Sequence, residues 1–497
     1  MGSTARRPRS LAVLLTALVL AAATTTVAAA RPLDGDGTSA AAPGGIRPPT
    51  ATAKFDRYGG DLSVRLHATG RFRTQRVGGR WWLVTPEGHP YWFAGIANAD
   101  PTGTADRNGH YAYADTVAQK YGSVANWADA QLVRFRDWGI NGLGGWGDVS
   151  SLEGRVPYTR VLGLGGWRTD YWSPSWATGA RRSIAATAAE VRNDPWFIGY
   201  FTDNEMSWAL DIRTFQTSFD IYLAMPASAP GKQELLRFLR ERYHGSIDAV
   251  RADFPALTAT TWEQLAQPVE PIRFTEEPGG QATQGEWSGR IMAQYFSVVG
   301  PALRQADPRH LNLGVRFIAQ LTSPQVLREA SRWVDVLSVN YYEPNEQWGG
   351  LQDYAAARYP LVPTAGMLRE FSGGGAKPLL ISEYGYRAAD SGLPNTWPPA
   401  MPVLATQAER GAAVADYGTC ALGNPSMVGT VFFEMTDEPA AGRFDGEDSN
   451  WGLVGEDDEP YPEVTRELRT LHDAAYARLR GYQPPACRDF EADRPAA

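Results

Sequence analysis

The sequence predicts an α/β fold, a (β/α)8 barrel with a short N-terminal β-hairpin region and an elaborated connection between its fourth and fifth strands. Three observations predict it. Eight apolar, strand-like segments recur along the chain, and most are followed by a helical pattern. Those segments stay uniformly apolar, and no dinucleotide-binding glycine pattern follows the first, so a closed barrel fits better than an open sheet. Polar residues gather at the C-terminal ends of the segments, where a barrel of this kind opens to solvent.

The elements follow in order. Residues 1–30 carry Arg6, Arg7 and Arg9, then the apolar run "SLAVLLTALVLAAA", then small residues with Ala28 and Ala30 spaced for cleavage. This predicts a cleaved secretory signal and an extracellular, secreted chain. The alternative is an uncleaved anchor, which the shortness of the apolar run disfavours. Residues 31–54, rich in Pro, Gly, Ala and Thr, read as a flexible linker. Residues 55–90 read as short strands, with "GG" and "TPEG" as hairpin signals.

The barrel is expected over 91–482, with a tail at 483–497. Its strands are read at 91–98, in "INGLGGWGD", at 158–166, 195–205, 311–317, 335–342, 377–386 and 427–439. After the first strand, Ala128, Leu132 and Phe135 share one helix face and Gly139 stops that helix. Residues 206–300 form the long connection, including the helical "GKQELLRFLRERYHG"; a separate inserted domain is the alternative there. Ser323 is a natural N-cap with Pro324 in the first turn, and Val326, Ala330 and Trp333 fall on one face. Thr406 and Glu409 have capping-box spacing at the head of a helix ending near Gly423.

Composition narrows the chemistry. The chain is 43% hydrophobic, with 17 Trp, 21 Tyr and 18 Phe, enough for a large core and some exposed aromatic faces. Its formal charge is −8, and losing the three leader arginines would make it more negative, so nucleic acid and anionic polymers are poor partners. The six histidines stand apart, with no HExxH, CxxC or phosphate-binding GK[ST] pattern, so no metal or other cofactor is expected. No GxSxG elbow is present. The chemistry is left to carboxylates. Cys420 and Cys487 are the two cysteines; they form one disulfide or remain as two free thiols.

Candidate residues stand at the strand ends. Asn98 ends the first strand, Asn204 and Glu205 the fourth, Arg316 the fifth, and Asn340, Tyr341 and Tyr342 the sixth. Glu383 and Tyr386 end the seventh, and Glu434 and Asp437 the eighth. A lone acid there is more often a helix cap. Glu205 and Glu383, however, sit on strands whose ends face across a barrel mouth, as the acid and nucleophile of a retaining glycosidase must. Trp146, Trp208 and Trp397 are candidate sugar-stacking rings, with core packing as the alternative.

"TDNE" with "ISEYGY" resembles the signature of clan A retaining glycoside hydrolases. The wider runs "WWLVTPEGHPYWFAGI", "GYFTDNEMSW", "ISEYGYRAADSGLPNT" and "GRFDGEDSNWGLV" resemble glycoside hydrolase family 50, the agarases and their relatives, over most of residues 75–460. The resemblance implies Glu205 as acid/base, Glu383 as nucleophile, and Asn204 on the hydroxyl beside the anomeric centre. It implies Tyr341 or Tyr342 orienting the nucleophile, and a polysaccharide or oligosaccharide substrate of agar type. Agarases of that family usually carry a sizeable β-rich domain before the barrel, whereas here only 55–90 stands in that place. Other galactans, β-mannan, β-glucan or arabinogalactan therefore remain alternatives, as do a non-catalytic carbohydrate-binding barrel and a polysaccharide lyase. The sequence is silent on oligomeric state and on endo or exo action.

Overall fold

The computed structural model describes residues 54–485 except 207, 210, 212–215, 319–320, 343–368, 370–371, 376 and 400. All of these belong to one compact unit, Ile46–Ala497. The expected leader, most of the linker and Cys487 lie outside the described residues.

All eight expected strand positions form. Phe93–Ile96, Gly142–Leu143, Tyr158–Val161, Phe197–Phe201, Leu337–Asn340, Leu379–Tyr384 and Met427–Phe432 lie in one parallel sheet. The fifth position is split in two: Leu311–Asn312 pairs with the fourth strand and Phe317–Ile318 with the sixth. The two edges of the sheet are thus halves of one segment, which closes the barrel. Between the halves the backbone turns through Gly314 (φ +78°) and Arg316 (φ +50°). It bonds both neighbours on the way: the Thr202 N–H donates to Gly314 O at 2.7 Å, and the Arg316 N–H to Ser338 Oγ at 3.1 Å.

The strands' side chains divide between two cores. Phe93, Ile198, Leu313, Val336, Leu380 and Val428 share the inner core. Tyr200, Val339, Ile381 and Phe432 pack outward with the helices. Residues Arg73–Val77, Arg80–Val84 and Pro90–Tyr91 make an antiparallel sheet. It sends Leu83 and Tyr91 into the inner core just before the first barrel strand begins.

Between the fourth and fifth strands run helices Ser218–Ala224, Pro230–Arg242, Ile247–Asp253, Trp262–Ala266 and Pro278–Ala306. The last packs along helices Pro174–Val191 and Pro324–Ala330, as the crossover helix of a barrel does. Trp287 on it stacks on Trp172 at 5.2 Å, and the short helices join the same hydrophobic cluster as the barrel's outer layer. This connection is therefore an outgrowth of the barrel's own core. Lys232 is buried within it; its ammonium donates to the carbonyls of Leu223 and Gln267, and burial pushes it down to about 8.

The helix signals act as their chemistry dictates. Ser123 caps Val124–Trp138, which ends at Gly139 in the left-handed region, and Thr406 caps Gln407–Gly423. Ser323 Oγ accepts the Val326 N–H, but that helix stops at Ala330, so Trp333 lies past its end. Cys420, buried in Gln407–Gly423, is disulfide-bonded.

Candidate active site

The ends of the fourth, fifth, sixth and seventh strands converge on Glu205 and Glu383. Asn340, the last residue of the sixth strand, stands between them. Its Nδ2 donates to Asn204 Oδ1 at 3.2 Å and to Glu205 Oε1 at 3.3 Å, while its Oδ1 accepts from Ser382 Oγ at 2.7 Å. The Glu205 N–H donates to Arg316 O at 3.2 Å, and the Arg316 guanidinium reaches Glu383. One residue therefore touches the backbone of the first acid and the side chain of the second.

Glu383 is buried and held on both oxygens. Arg316 Nη2 donates to its Oε1 and to Ser382 O, and Tyr342 Oη donates to its Oε2 at 2.9 Å. Burial pushes the Tyr342 phenol well up, and the charges of Glu383 and Glu205 add to that, so it stays a proton donor. Glu205 differs: it is only partly buried and lines an open cleft. The cleft, about 240 Å³, is walled by Trp146, Trp167, Gly165, Asn204, Glu205 and Met206, among others. Beneath it Asp203 ties two elements together, accepting from Tyr295 Oη at 2.7 Å and the Gly165 N–H at 3.1 Å. Burial raises Asp203 to about 6, against the pull of those hydrogen bonds.

Local backbone geometry aims these groups. Asn98, Trp146, Glu205 and Arg316 all take positive φ, between +50° and +72°. Such conformations cost of order 1 kcal/mol each for side-chain-bearing residues. Their grouping at one mouth marks where the chain bends from strand into loop.

Several residues read from the sequence as sugar contacts are placed otherwise. Arg316 has no exposed surface; its guanidinium lies 5.6 Å from the Trp146 ring and 5.2 Å from that of Phe201, so it holds Glu383 rather than meeting solvent. Trp208 is 2% exposed and packs on Tyr171, Tyr295 and Phe317, making it core. Tyr341 points away from the mouth, because successive strand residues alternate, and its ring meets Tyr417. Tyr386 is buried on the same side, against Tyr417. Asp437 is buried, with its oxygens taken by Asn450, the Gly452 N–H and Tyr461; it ties down the loop after the eighth strand.

Trp146 lines the cleft and is 48% exposed, and Trp397 is 40% exposed. Asn98 Nδ2 donates to Glu434 Oε2, joining the first and eighth strands. Burial raises Glu434, and Glu438 is packed close beside it. The sequence reading missed Ser382, which links Asn340 to the seventh strand, and the Arg443 cluster with Glu438 and Glu447; three acids around one arginine in "EPAAGRFDGE" were the available signal. Among the described residues no group of three or more His, Cys, Asp or Glu is arranged to hold a metal ion, and no helix is long and apolar enough to cross a membrane.

No protein-family model matches the chain. The chain is similar to β-agarase B of Vibrio sp. (strain JT0107), 25% identical over 84% of its own length and 50% of the relative's. It is 28% identical to β-agarase A of the same strain, over 73% of its own length and 37% of the relative's. It thus spans half or less of these relatives. Its fold matches that of an exo-β-agarase with a TM-score of 0.70 and 22% identity, covering 88% of this chain and 69% of that one. A crystallised agarase matches with a TM-score of 0.66 and 25% identity, over 86% and 68% of the two chains. In sequence and in fold the chain is agarase-like.

Proposed function

We propose that the chain is a retaining glycoside hydrolase acting on β-glycosidic bonds of agar-type galactans or their oligosaccharides. The observation that carries this reading is the unlike setting of two neighbouring glutamates. Glu383 is clamped by a cation and a phenol, as an ionised nucleophile needs, whereas Glu205 faces the cleft beside two asparagines. The relatives' names supply the sugar.

In the first step Glu383 attacks the anomeric carbon as the bond to the leaving oxygen breaks, and Glu205 gives that oxygen its proton. In the second, Glu205 takes a proton from water as the water oxygen bonds the anomeric carbon, and Glu383 departs as carboxylate. Tyr342 and Arg316 aim Glu383 and spread its charge; Asn204, which lines the cleft beside Glu205, bonds the neighbouring sugar hydroxyl in this reading. Export through the leader at residues 1–30 belongs to the same reading, since such polymers lie outside the cell.

The test is purified protein assayed on agar-, carrageenan-, galactan- and mannan-derived oligosaccharides, with the first-formed product followed by NMR. The reading predicts cleavage of an agar-type substrate with the anomeric configuration kept. Cleavage confined to another glycan would overturn the sugar, and an inverted product the mechanism.

A further inference from the structure

Asn340, read from the sequence as a sugar contact, is buried, and so is Ser382 on the neighbouring strand. Their meeting follows from an irregularity in the sheet. Val339 stands opposite Ile381, but Asn340 stands opposite Glu383, so Ser382 is an extra residue on the seventh strand. A bulge of this kind re-aims side chains beside a site. Ser382 Oγ donates to Asn340 Oδ1 at 2.7 Å, which turns the other end of the amide, Nδ2, to Asn204 Oδ1 at 3.2 Å and to Glu205 Oε1 at 3.3 Å.

This orientation suits all three partners. A reversed amide would set its oxygen against the oxygens of Asn204 and Glu205. Asn204 and Glu205 line the cleft, whereas Asn340 is buried and meets them from within the protein. Its N–H serves Glu205 in both protonation states, because the carbonyl oxygen of a carboxylic acid and either oxygen of a carboxylate accept a hydrogen bond. The acid form differs in having one oxygen that accepts and one that carries the proton. With Oε1 accepting from Asn340, the proton belongs on Oε2.

We propose that Asn340, held by Ser382, is a positioning residue that fixes the transferable proton of Glu205 on Oε2. This rests on Glu205 being the acid/base. In the first step the Oε2–H bond breaks and its proton bonds the leaving oxygen as that oxygen parts from the anomeric carbon, while Oε1 keeps its bond to Asn340. In the second step a proton from water returns to Oε2 as the water oxygen bonds the same carbon. Without Asn340 the proton is free to sit on either oxygen, and only one of them is placed for transfer.

The experiment measures kcat/KM of the wild type, Asn340→Ala, Asn340→Asp, Ser382→Ala and, as a control, Glu205→Ala on two substrates. One is an agar-derived oligosaccharide, whose sugar leaving group needs the proton; the other is a dinitrophenyl β-galactoside, whose leaving group departs without it. The expected result is that Asn340→Ala moves the oligosaccharide-to-aryl ratio roughly 10- to 100-fold toward the aryl substrate, and that Ser382→Ala moves it the same way. Asn340→Asp keeps the shape and the bond from Ser382, so it carries the test where Asn340→Ala does not fold. It sets a second carboxyl against Glu205, and the alkaline limb of its pH profile on the oligosaccharide should rise by about one pH unit. The charged and titratable neighbours Asp203, Arg316, Tyr342 and Glu383 are unchanged in that variant, so the rise reports position 340. An equal loss on both substrates, as a purely structural role would give, or an alkaline limb at its wild-type position in Asn340→Asp, would overturn the proposal. Failure of the underlying reading looks different: the wild type then cleaves neither substrate, or Glu205→Ala itself loses both equally, and the proposal falls with it.

Discussion

Tyr342 Oη donates to Glu383 Oε2 at 2.9 Å, joining the ends of the sixth and seventh strands at the mouth of the barrel. The hydrogen bond goes to a charged acceptor, a class worth about 1.5–3 kcal/mol. Tyr342→Phe keeps the ring against Trp451, 5.4 Å away, and deletes only the donor. We expect kcat to fall roughly 10- to 100-fold with KM little changed. A variant with full kcat would mean that Tyr342 does not orient Glu383.

Arg316 holds the other oxygen from a fully buried position. Arg316→Met preserves volume but strands the Glu383 carboxylate without its cation, and breaking a buried pair in this way costs about 3–5 kcal/mol. The expected outcome is a lower melting temperature together with a drop in kcat. A rise in KM alone, with kcat and melting unchanged, would instead restore Arg316 to the substrate-contacting role read from the sequence.

Trp208 separates packing from binding. Its indole sits among Tyr171, Tyr295 and Phe317, so Trp208→Ala should destabilise the fold by about 3–5 kcal/mol in a denaturant titration. Trp208→Phe should fold and keep KM. Unchanged stability in Trp208→Ala with a raised KM would show a sugar platform.

Acid stability carries a signature of Asp307. Burial pushes its carboxyl up, but hydrogen bonds from His310 and Tyr200 outweigh that and hold it at about 2. The folded value lies below the ordinary 3.8. Its stabilisation is therefore present above about pH 4 and lost as pH falls toward 2, and amounts to about 2 kcal/mol. Asp307→Asn should melt below the wild type at pH 7, and the gap should close near pH 2. A constant gap across that range would contradict the linkage.

Fold and site were unequally legible in the sequence. All eight strands could be placed because each is an apolar run bounded by breakers, and the residues at their ends came with them. What the sequence could not supply was which way each end residue points. Tyr341 and Tyr342 are chemically equal there, and only strand alternation, once the register Asn340 to Glu383 is known, sends Tyr342 to the mouth and Tyr341 to Tyr417. Arg316 looks exposed in sequence because arginine usually is, yet the split of the fifth strand buries it. Asp437 stands three residues past Glu434, but the chain has already turned to meet Asn450, Gly452 and Tyr461.

The central claim is that Glu383 forms the covalent bond to the sugar, and it is tested most directly by azide rescue. Glu383→Gly should be nearly inactive on an activated aryl β-galactoside, and added azide should restore turnover. The product should be a glycosyl azide of inverted configuration, because the small anion occupies the space the carboxylate leaves. Near-normal activity without azide, or rescue of Glu205→Gly but not of Glu383→Gly to that inverted product, would contradict the account.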